Sequence, residues 1–341
     1  MEKTISEKLK VFSFIATIFV VYRHSLNYLA FFGSSSAEGY NGFVQDGFMS
    51  LTQIAVPYFF LVSGYFFFKK NYYEGWNIRN IGDSVWAEMI KVKCRTLLVP
   101  FIFWNVIGLL VLIITHQTYS FSLRSLLDSE WYGPLWYVRD LMFMMSIVPL
   151  YQWCFRLDGN KKLIIFSYVI HSLILLLLIY HWNPIETTFL SSEGVLFFYI
   201  GGLMRKFDIN LHYKLSYKFS IVMLLFWLCW SFSVFNIENC HFLFIMMGIL
   251  VIWNLLDVIS NRLMSKLLSY SRFSFLIYVM HFYIIKIMKV AMGKLFYGNE
   301  LVSMLSYLIL PVVCTFIIII LGKIMQRYIP QILAFTMGGR Q

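Results

Sequence analysis

Long apolar runs alternate with short polar intervals along almost the whole chain. FIATIFVVYRHSLNYLAFF (14–32), LLVPFIFWNVIGLLVLIIT (97–115), LIIFSYVIHSLILLLLIY (163–180) and LSYLILPVVCTFIIIILG (305–322) are the clearest. Such runs approach or reach the ~20 residues that a helix needs to cross the hydrocarbon core. A β-barrel would instead show alternating segments of about 10 residues. The pattern predicts spans at 11–32, 47–68, 97–115, 134–154, 163–180, 188–204, 219–236, 241–257, 273–292 and 304–322. The predicted fold is an all-α, polytopic transmembrane bundle of about ten helices. It reads as a single transmembrane domain over 1–341, with no soluble domain and no internal repeat of fixed period. The longest polar interval, 69–96, ends with Val85, Trp86, Met89 and Ile90 at helical spacing, followed by Lys91, Lys93 and Arg95. Apolar residues on one face and cations behind them predict an interfacial helix there.

Composition sharpens this picture. The 341 residues are 60% hydrophobic and only 13% charged, too little polar surface for a soluble protein of this size. The formal charge of +11 is distributed by side rather than by patch. With the N-terminus in the cytoplasm, inner segments hold 22 of the 28 Lys and Arg, while Glu38, Asp46, Asp128, Glu130, Glu186, Glu238 and Glu300 lie outside. This bias fixes both termini on the cytoplasmic side of a plasma (inner) membrane. The basic excess is therefore topological and does not point to nucleic acid. The first apolar run is too long, and too interrupted by Arg23-His24, for a cleaved signal, so it reads as an uncleaved span. The five cysteines have no metal or redox spacing, and no metal is expected.

The exceptions to apolarity carry the candidate chemistry. His24 lies about 20 Å from the inner edge if the first helix enters the hydrocarbon near Val11. An ionisable group at that depth costs roughly 2.5–3.5 kcal/mol and faces protein or a water-filled cavity. Asn27 and Tyr28, three and four residues on, would share its face of a continuous helix, whereas Arg23 points about 100° away. His281, in FSFLIYVMHFYIIK (273–286), lies some 12 Å from the inner face by the same rise. Arg139 and Asp140 sit near the outer end of GPLWYVRDLMF (133–143), where Arg139 could pair with Asp46 and Asp140 with a cation of another helix.

Four stretches in order complete the pattern: IATIFVVYRHS (15–25), AVPYFFLVSGYFFFKK (55–70), GPLWYVRDLMFMMSIVPLY (133–151) and SYSRFSFLIYVMHFYI (269–284). Each is weak alone, but in this order and spacing the chain resembles acyltransferase family 3, the integral membrane O-acyltransferases, of the stand-alone type without an extracytoplasmic hydrolase-like domain. The resemblance covers essentially the whole chain. It implies a protein that takes an acyl group, usually acetyl, from cytoplasmic acetyl-CoA and passes it to a hydroxyl of a surface or lipid-linked carbohydrate. The family's first-span histidine falls on His24 and its ninth-span histidine on His281. One departure stands out: the family's basic residue eleven positions before the first histidine is here Ser13. Lys10 is the nearest cation, about 40° off the face of His24 and about 21 Å lower.

That resemblance organises the remaining residues. His24 is the expected general base, with His281 as a second catalytic candidate and an acyl-histidine as an alternative route. Asn27, Tyr28 or Arg139 could donate to the oxyanion. Lys69, Lys70, Lys91, Lys93 and Arg95, with Lys10, are the expected donor-phosphate set. Trp131, Trp136 and Tyr137 could stack an acceptor sugar. Membrane lipids are the other expected partners. Two other readings remain, a glycan or lipid-intermediate transporter and a catalytically silent family member. The first normally brings inverted repeats with broken helices, which the sequence does not show.

Overall fold

The computed structural model describes residues 5–36, 38–68, 85–154, 169–170, 172–173, 190–207, 209, 211, 214–233 and 240–339. It is 83% helical, with no strand among the described residues, as expected for an all-α bundle. In chain order the helices are α1 (Ile5–Arg23), α2 (Tyr28–Phe32), α3 (Gly39–Thr52), α4 (Ala55–Phe67), α5 (Val85–Lys93), α6 (Val99–Ile114), α7 (Leu123–Leu127) and α8 (Trp136–Cys154). They continue with α9 (Ser192–Lys206), α10 (Tyr217–Ser231), α11 (His241–Val258), α12 (Asn261–Ser271), α13 (Ser274–Leu295), α14 (Glu300–Tyr328) and α15 (Pro330–Thr336). Among the described residues, five stretches are long and apolar enough to cross a bilayer: Gly39–Phe67, Trp86–Ile114, His241–Val258, Ser274–Leu295 and Glu300–Tyr328. The expected span at 163–180 falls largely outside the described residues, as do Lys69 and Lys70.

Two expectations change. The first span does not run as one helix over 11–32: α1 ends at Arg23, residues 24–27 leave helical geometry, and α2 is a separate short helix. The separate interfacial helix expected before the third span is instead continuous with the helix of that span. α5 continues through a π-type stretch, Cys94–Leu98, into α6, giving one 29-residue helix from Trp86 to Ile114. At 1.5 Å per residue this helix is about 43 Å long, more than the ~30 Å hydrocarbon core. That length is enough to leave turns of the helix outside the hydrocarbon.

The chain forms two compact units. The first comprises Met1–Tyr58 with Asn210–Leu333. Here α1 packs against α3, α11, α12, α13 and α14, and α13 and α14 pair with each other. Val11, Phe12, Ala16, Val21, Leu276, Ile277, Val279 and Ile318 are fully buried in its core. At the inner end Phe12 stacks on Tyr58 at 3.8 Å between centroids. Lys8, 4% exposed, reaches Asp257 at 2.8 Å and lies over the Trp253 ring.

The second unit comprises Phe59–Ile209 with Ala334–Gln341. In it α4 and α9 approach until backbone meets backbone. A Cβ on Gly64 would strike the Phe198 carbonyl, and one on Gly201 the Leu61 carbonyl. With no hydrophobic drive between helices in lipid, such small-residue contacts supply close packing. Gly64→Ala and Gly201→Ala should each destabilise the protein by about 1–3 kcal/mol through overpacking. Gly133→Ala is the matched control, because nothing lies within 4 Å of the added atom. Thermal unfolding in detergent should show lower midpoints for the first two variants and none for the third.

Candidate active site

The site begins where α1 stops. A helix end leaves backbone carbonyls without intrahelical donors, and inside a membrane no water is at hand to take them. Several carbonyls at this helix end and in the turn after it have partners here. The His24 N–H donates to Val20, the Ser25 hydroxyl to Val21 at 2.6 Å, and the Ser25 N–H to Tyr22 at 3.0 Å. The carbonyls of His24 and Leu26 accept from Lys289 Nζ of α13, both at 3.0 Å. A cation on a helix C-terminus also complements the negative end of the helix dipole. Tyr22 ties the same turn to α14, its hydroxyl donating to the Leu308 carbonyl at 2.9 Å.

This arrangement turns the His24 ring against α13. Its centroid lies 5.1 Å from that of His281, and the Phe282 ring meets it edge-on at 5.4 Å. His281 is completely buried, whereas His24 is half-buried. The protonation of His281 follows from its partners. Its Nδ1 lies 2.7 Å from the Tyr278 carbonyl and 3.2 Å from that of Ile277. Carbonyl oxygens only accept, so Nδ1 must carry the hydrogen, and in the neutral ring Nε2 holds the lone pair. That Nε2 is buried without a hydrogen-bond partner. Two histidines 257 positions apart in sequence thus form a facing pair, one of them with a fixed tautomer.

The other expected residues divide. Asn27 does not share a helical face with His24, because the helix has already ended. It belongs to a buried cluster with Asn41, Gln45 and Ser303, all 0–1% exposed. Its amide donates to the Ser303 carbonyl at 2.9 Å, and its Oδ1 accepts from Gln45 Nε2 and the Ser303 hydroxyl. Gln45 Nε2 also reaches Asn41 Oδ1 at 2.7 Å. Tyr28 is engaged as well, its hydroxyl lying 3.0 Å from Asp46 Oδ1. Lys10 is exposed at the inner end of α1, where the buried cation is Lys8. Ser13 hydrogen-bonds the Tyr58 hydroxyl.

Within the second unit, Arg139 is held by Asp140 at 2.7 Å and by the Leu127 carbonyl at 3.1 Å, with Asp128 at 4.0 Å. It therefore pairs with its own neighbour and with Asp128, in place of the expected Asp46. Fully buried Asp140 also accepts from the Ser191 N–H, at the N-cap of α9, instead of pairing with another helix's cation. Trp131 is buried, stacked on Phe121, and its indole donates to the Ser120 carbonyl. Trp136 and Tyr137 pack on Phe60. Lys91 and Arg95 are exposed, and Lys93 lies over the Phe67 ring.

Lys289 is the site residue that sequence reasoning passed over. It stood among the few cations outside the inner segments, eight residues after His281, and a lysine inside an apolar span is itself a signal. Asn27→Ala should unfold more easily by about 1–3 kcal/mol, because Gln45 and Ser303 would be left buried and half-satisfied. Chemical denaturation in micelles checks this, and the expected loss is one of stability in the turn rather than of a reacting group.

A family model described as an acyltransferase domain matches residues 9–321. No curated protein matches the chain. No solved structure matches it either. The matched range includes both histidines, the broken first helix and the helix that carries Lys289. The chain therefore belongs to acyltransferase family 3, as a membrane protein with an acyltransferase domain.

Proposed function

We propose that the protein is an acyl-CoA-dependent membrane O-acyltransferase, most simply an O-acetyltransferase. It moves acetyl from cytoplasmic acetyl-CoA to a hydroxyl of a cell-surface or lipid-linked carbohydrate. The observation that carries this reading is the facing pair His24–His281, with a bare, buried Nε2 on His281. The family match, which spans both compact units, supports treating the whole chain as one transmembrane acyltransferase domain in the plasma membrane.

A sugar hydroxyl is a poor nucleophile near neutral pH, and a positioned base that removes its proton during attack contributes about 10²–10⁴-fold. An imidazole, which titrates near 6.5 in water, suits the task. His24, the more accessible of the two rings, takes the proton as the hydroxyl oxygen adds to the thioester carbonyl. His281 offers its Nε2 lone pair beside it, directly or through one water, and so favours the imidazolium that forms. When the tetrahedral intermediate collapses, the C–S bond breaks and His24 returns the proton to the departing CoA thiolate. Apolar surroundings, Phe282 among them, keep water from competing for the acyl group.

Lys91 and Arg95, exposed on the Trp86–Ile114 helix, are the proposed partners of the donor's phosphates. Charge-assisted hydrogen bonds from these cations suit a multiply charged donor. Lys69 and Lys70 belong to the same proposed set. Trp131, Trp136 and Tyr137 remain the proposed aromatic surface for the acceptor.

Deletion of the gene should remove one acyl ester from the cell-surface glycans, read by mass spectrometry. An unchanged glycan profile, together with substrate movement across vesicles in the absence of any acyl donor, would replace the enzyme reading with a transporter. For the purified protein, His24→Ala and His281→Ala should each lower kcat at least about 100-fold while insertion and accumulation stay normal. Turnover near the wild-type rate would remove that ring from the chemistry. Lys91→Glu with Arg95→Glu should raise the KM for acetyl-CoA several-fold with kcat little changed. An unaltered KM assigns these cations to topology alone.

A further inference from the structure

The acyl-transfer reading leaves one requirement open. As the hydroxyl adds, the thioester carbonyl oxygen takes up a full negative charge, and that charge needs a preorganised donor. The donors expected beside His24 are engaged elsewhere: Asn27 with Ser303 and Tyr28 with Asp46. Lys289 is placed differently. An ammonium has three N–H donors. Two of them go to the carbonyls of His24 and Leu26. Among the described residues, none of the ion pairs includes Lys289.

We propose that Lys289 is the oxyanion donor of the site: its third N–H binds the thioester carbonyl oxygen of the acyl donor. The proposal rests on the acyl-transfer reading and adds to it the group that polarises the electrophile. Three features of the geometry point the same way. First, the ammonium touches the backbone of the very residue whose ring faces His281, so cation and imidazole belong to one turn. Second, side-chain stems on a helix lean toward its N-terminus, so Lys289 reaches back along α13 toward the turns that carry His281. Third, capping two carbonyls does not require a charge, since a neutral amide donates as well. A cation kept in such an apolar helix, with no ion pair among the described residues, is matched to a negative charge that exists only during reaction.

The step balances without any further reactant. The acceptor O–H bond breaks, its proton passes to His24, and the new C–O bond forms. The carbonyl π pair moves onto the oxygen held by Lys289. Collapse restores C=O, expels the thiolate and returns the proton to sulfur. Lys289 keeps its three hydrogens throughout, because it acts by hydrogen bonding and charge.

The test uses the full chain, purified in detergent, with acetyl-CoA as donor and octyl glucoside as a membrane-soluble sugar alcohol. Release of CoA thiol is the readout. Lys289→Gln keeps two N–H donors for the carbonyl cap but removes the charge, whereas Lys289→Arg keeps both. The Gln variant should lose about 10²–10³-fold in kcat, with the KM for acetyl-CoA within about threefold of wild type. The Arg variant should retain more than a tenth of the rate. CoA itself, which has no acyl carbonyl, should bind the wild type and both variants alike in equilibrium dialysis. A Gln variant with kcat within about threefold of wild type would reduce Lys289 to a structural cap and overturn the proposal. A rise in KM at unchanged kcat would overturn it equally, by showing binding common to ground and transition states. Wild-type protein that releases no more thiol than His24→Ala would instead overturn the acyl-transfer reading, and the proposal with it.

Discussion

A helix that ends in a buried setting must find donors for its last carbonyls, and the active-site geometry depends on how this chain meets that demand. If α1 continued to Phe32, its backbone would satisfy itself and His24 would be one more side chain on a long cylinder. The helix stops at Arg23 instead, and the freed carbonyls are taken by Ser25 and by Lys289 from α13. The Lys289 bonds cross from one helix to another, so the cap is also a tie. It fixes where the His24 turn sits along α13, and His281 lies on that same helix. The spacing between the two imidazoles is thus set by backbone hydrogen bonding rather than by the rings themselves.

Beyond the turn, the chain enters a second constraint. Asn27 opens α2 and is held by Gln45 of α3 and Ser303 of α14, while Asn41 of α3 accepts from the same Gln45 amide. A buried polar cluster of this kind is costly when any member lacks a partner, and it specifies one arrangement when all are satisfied. The His24 turn is therefore clamped on both sides, by a lysine before the cluster and by the cluster itself. Such rigidity suits acyl transfer, where small displacements of a base from its proton reduce rate steeply. It also explains why polar residues are concentrated here in a chain that elsewhere avoids them.

Much of the architecture was legible from apolar runs alone, because lipid admits so few backbone solutions. The histidines were legible too: each interrupts an apolar run, and such interruptions are rarely idle. The break after Arg23 was not legible. The letters around it, VVYRHSLNYLAFF, fit a continuous helix, and what ends that helix is a lysine more than 260 residues later, together with the cluster partners of Asn27. The wrong face for Asn27 followed directly from that missed break. The extent of the third span was hidden for a similar reason. Lys91, Lys93 and Arg95 look like an end to apolar structure, yet they lie on the same continuous helix as the apolar run that follows. Periodicity reports the local preference of the backbone, and both misses arose where distant groups or helix continuity decided the outcome.

The cation missing from α1 can be understood in the same terms. The resemblance leads one to look for a basic residue at position 13, and the chain has serine there, hydrogen-bonded to Tyr58. Two lysines come from elsewhere, and their surroundings separate their roles. Lys8 lies deep at the inner end of α1, but Asp257 neutralises it and Trp253 covers it. In a low-dielectric setting such a pair projects little field beyond its own contact, so it fastens α1 to α11 and leaves the distant histidines largely untouched. Lys289 has neutral carbonyls for partners and, among the described residues, makes no ion pair. Of the two, only Lys289 can polarise a bound acyl group. The positive charge serving the His24 turn therefore comes from α13, the helix that also carries His281, and one element presents both the cation and the second imidazole to a single turn of α1.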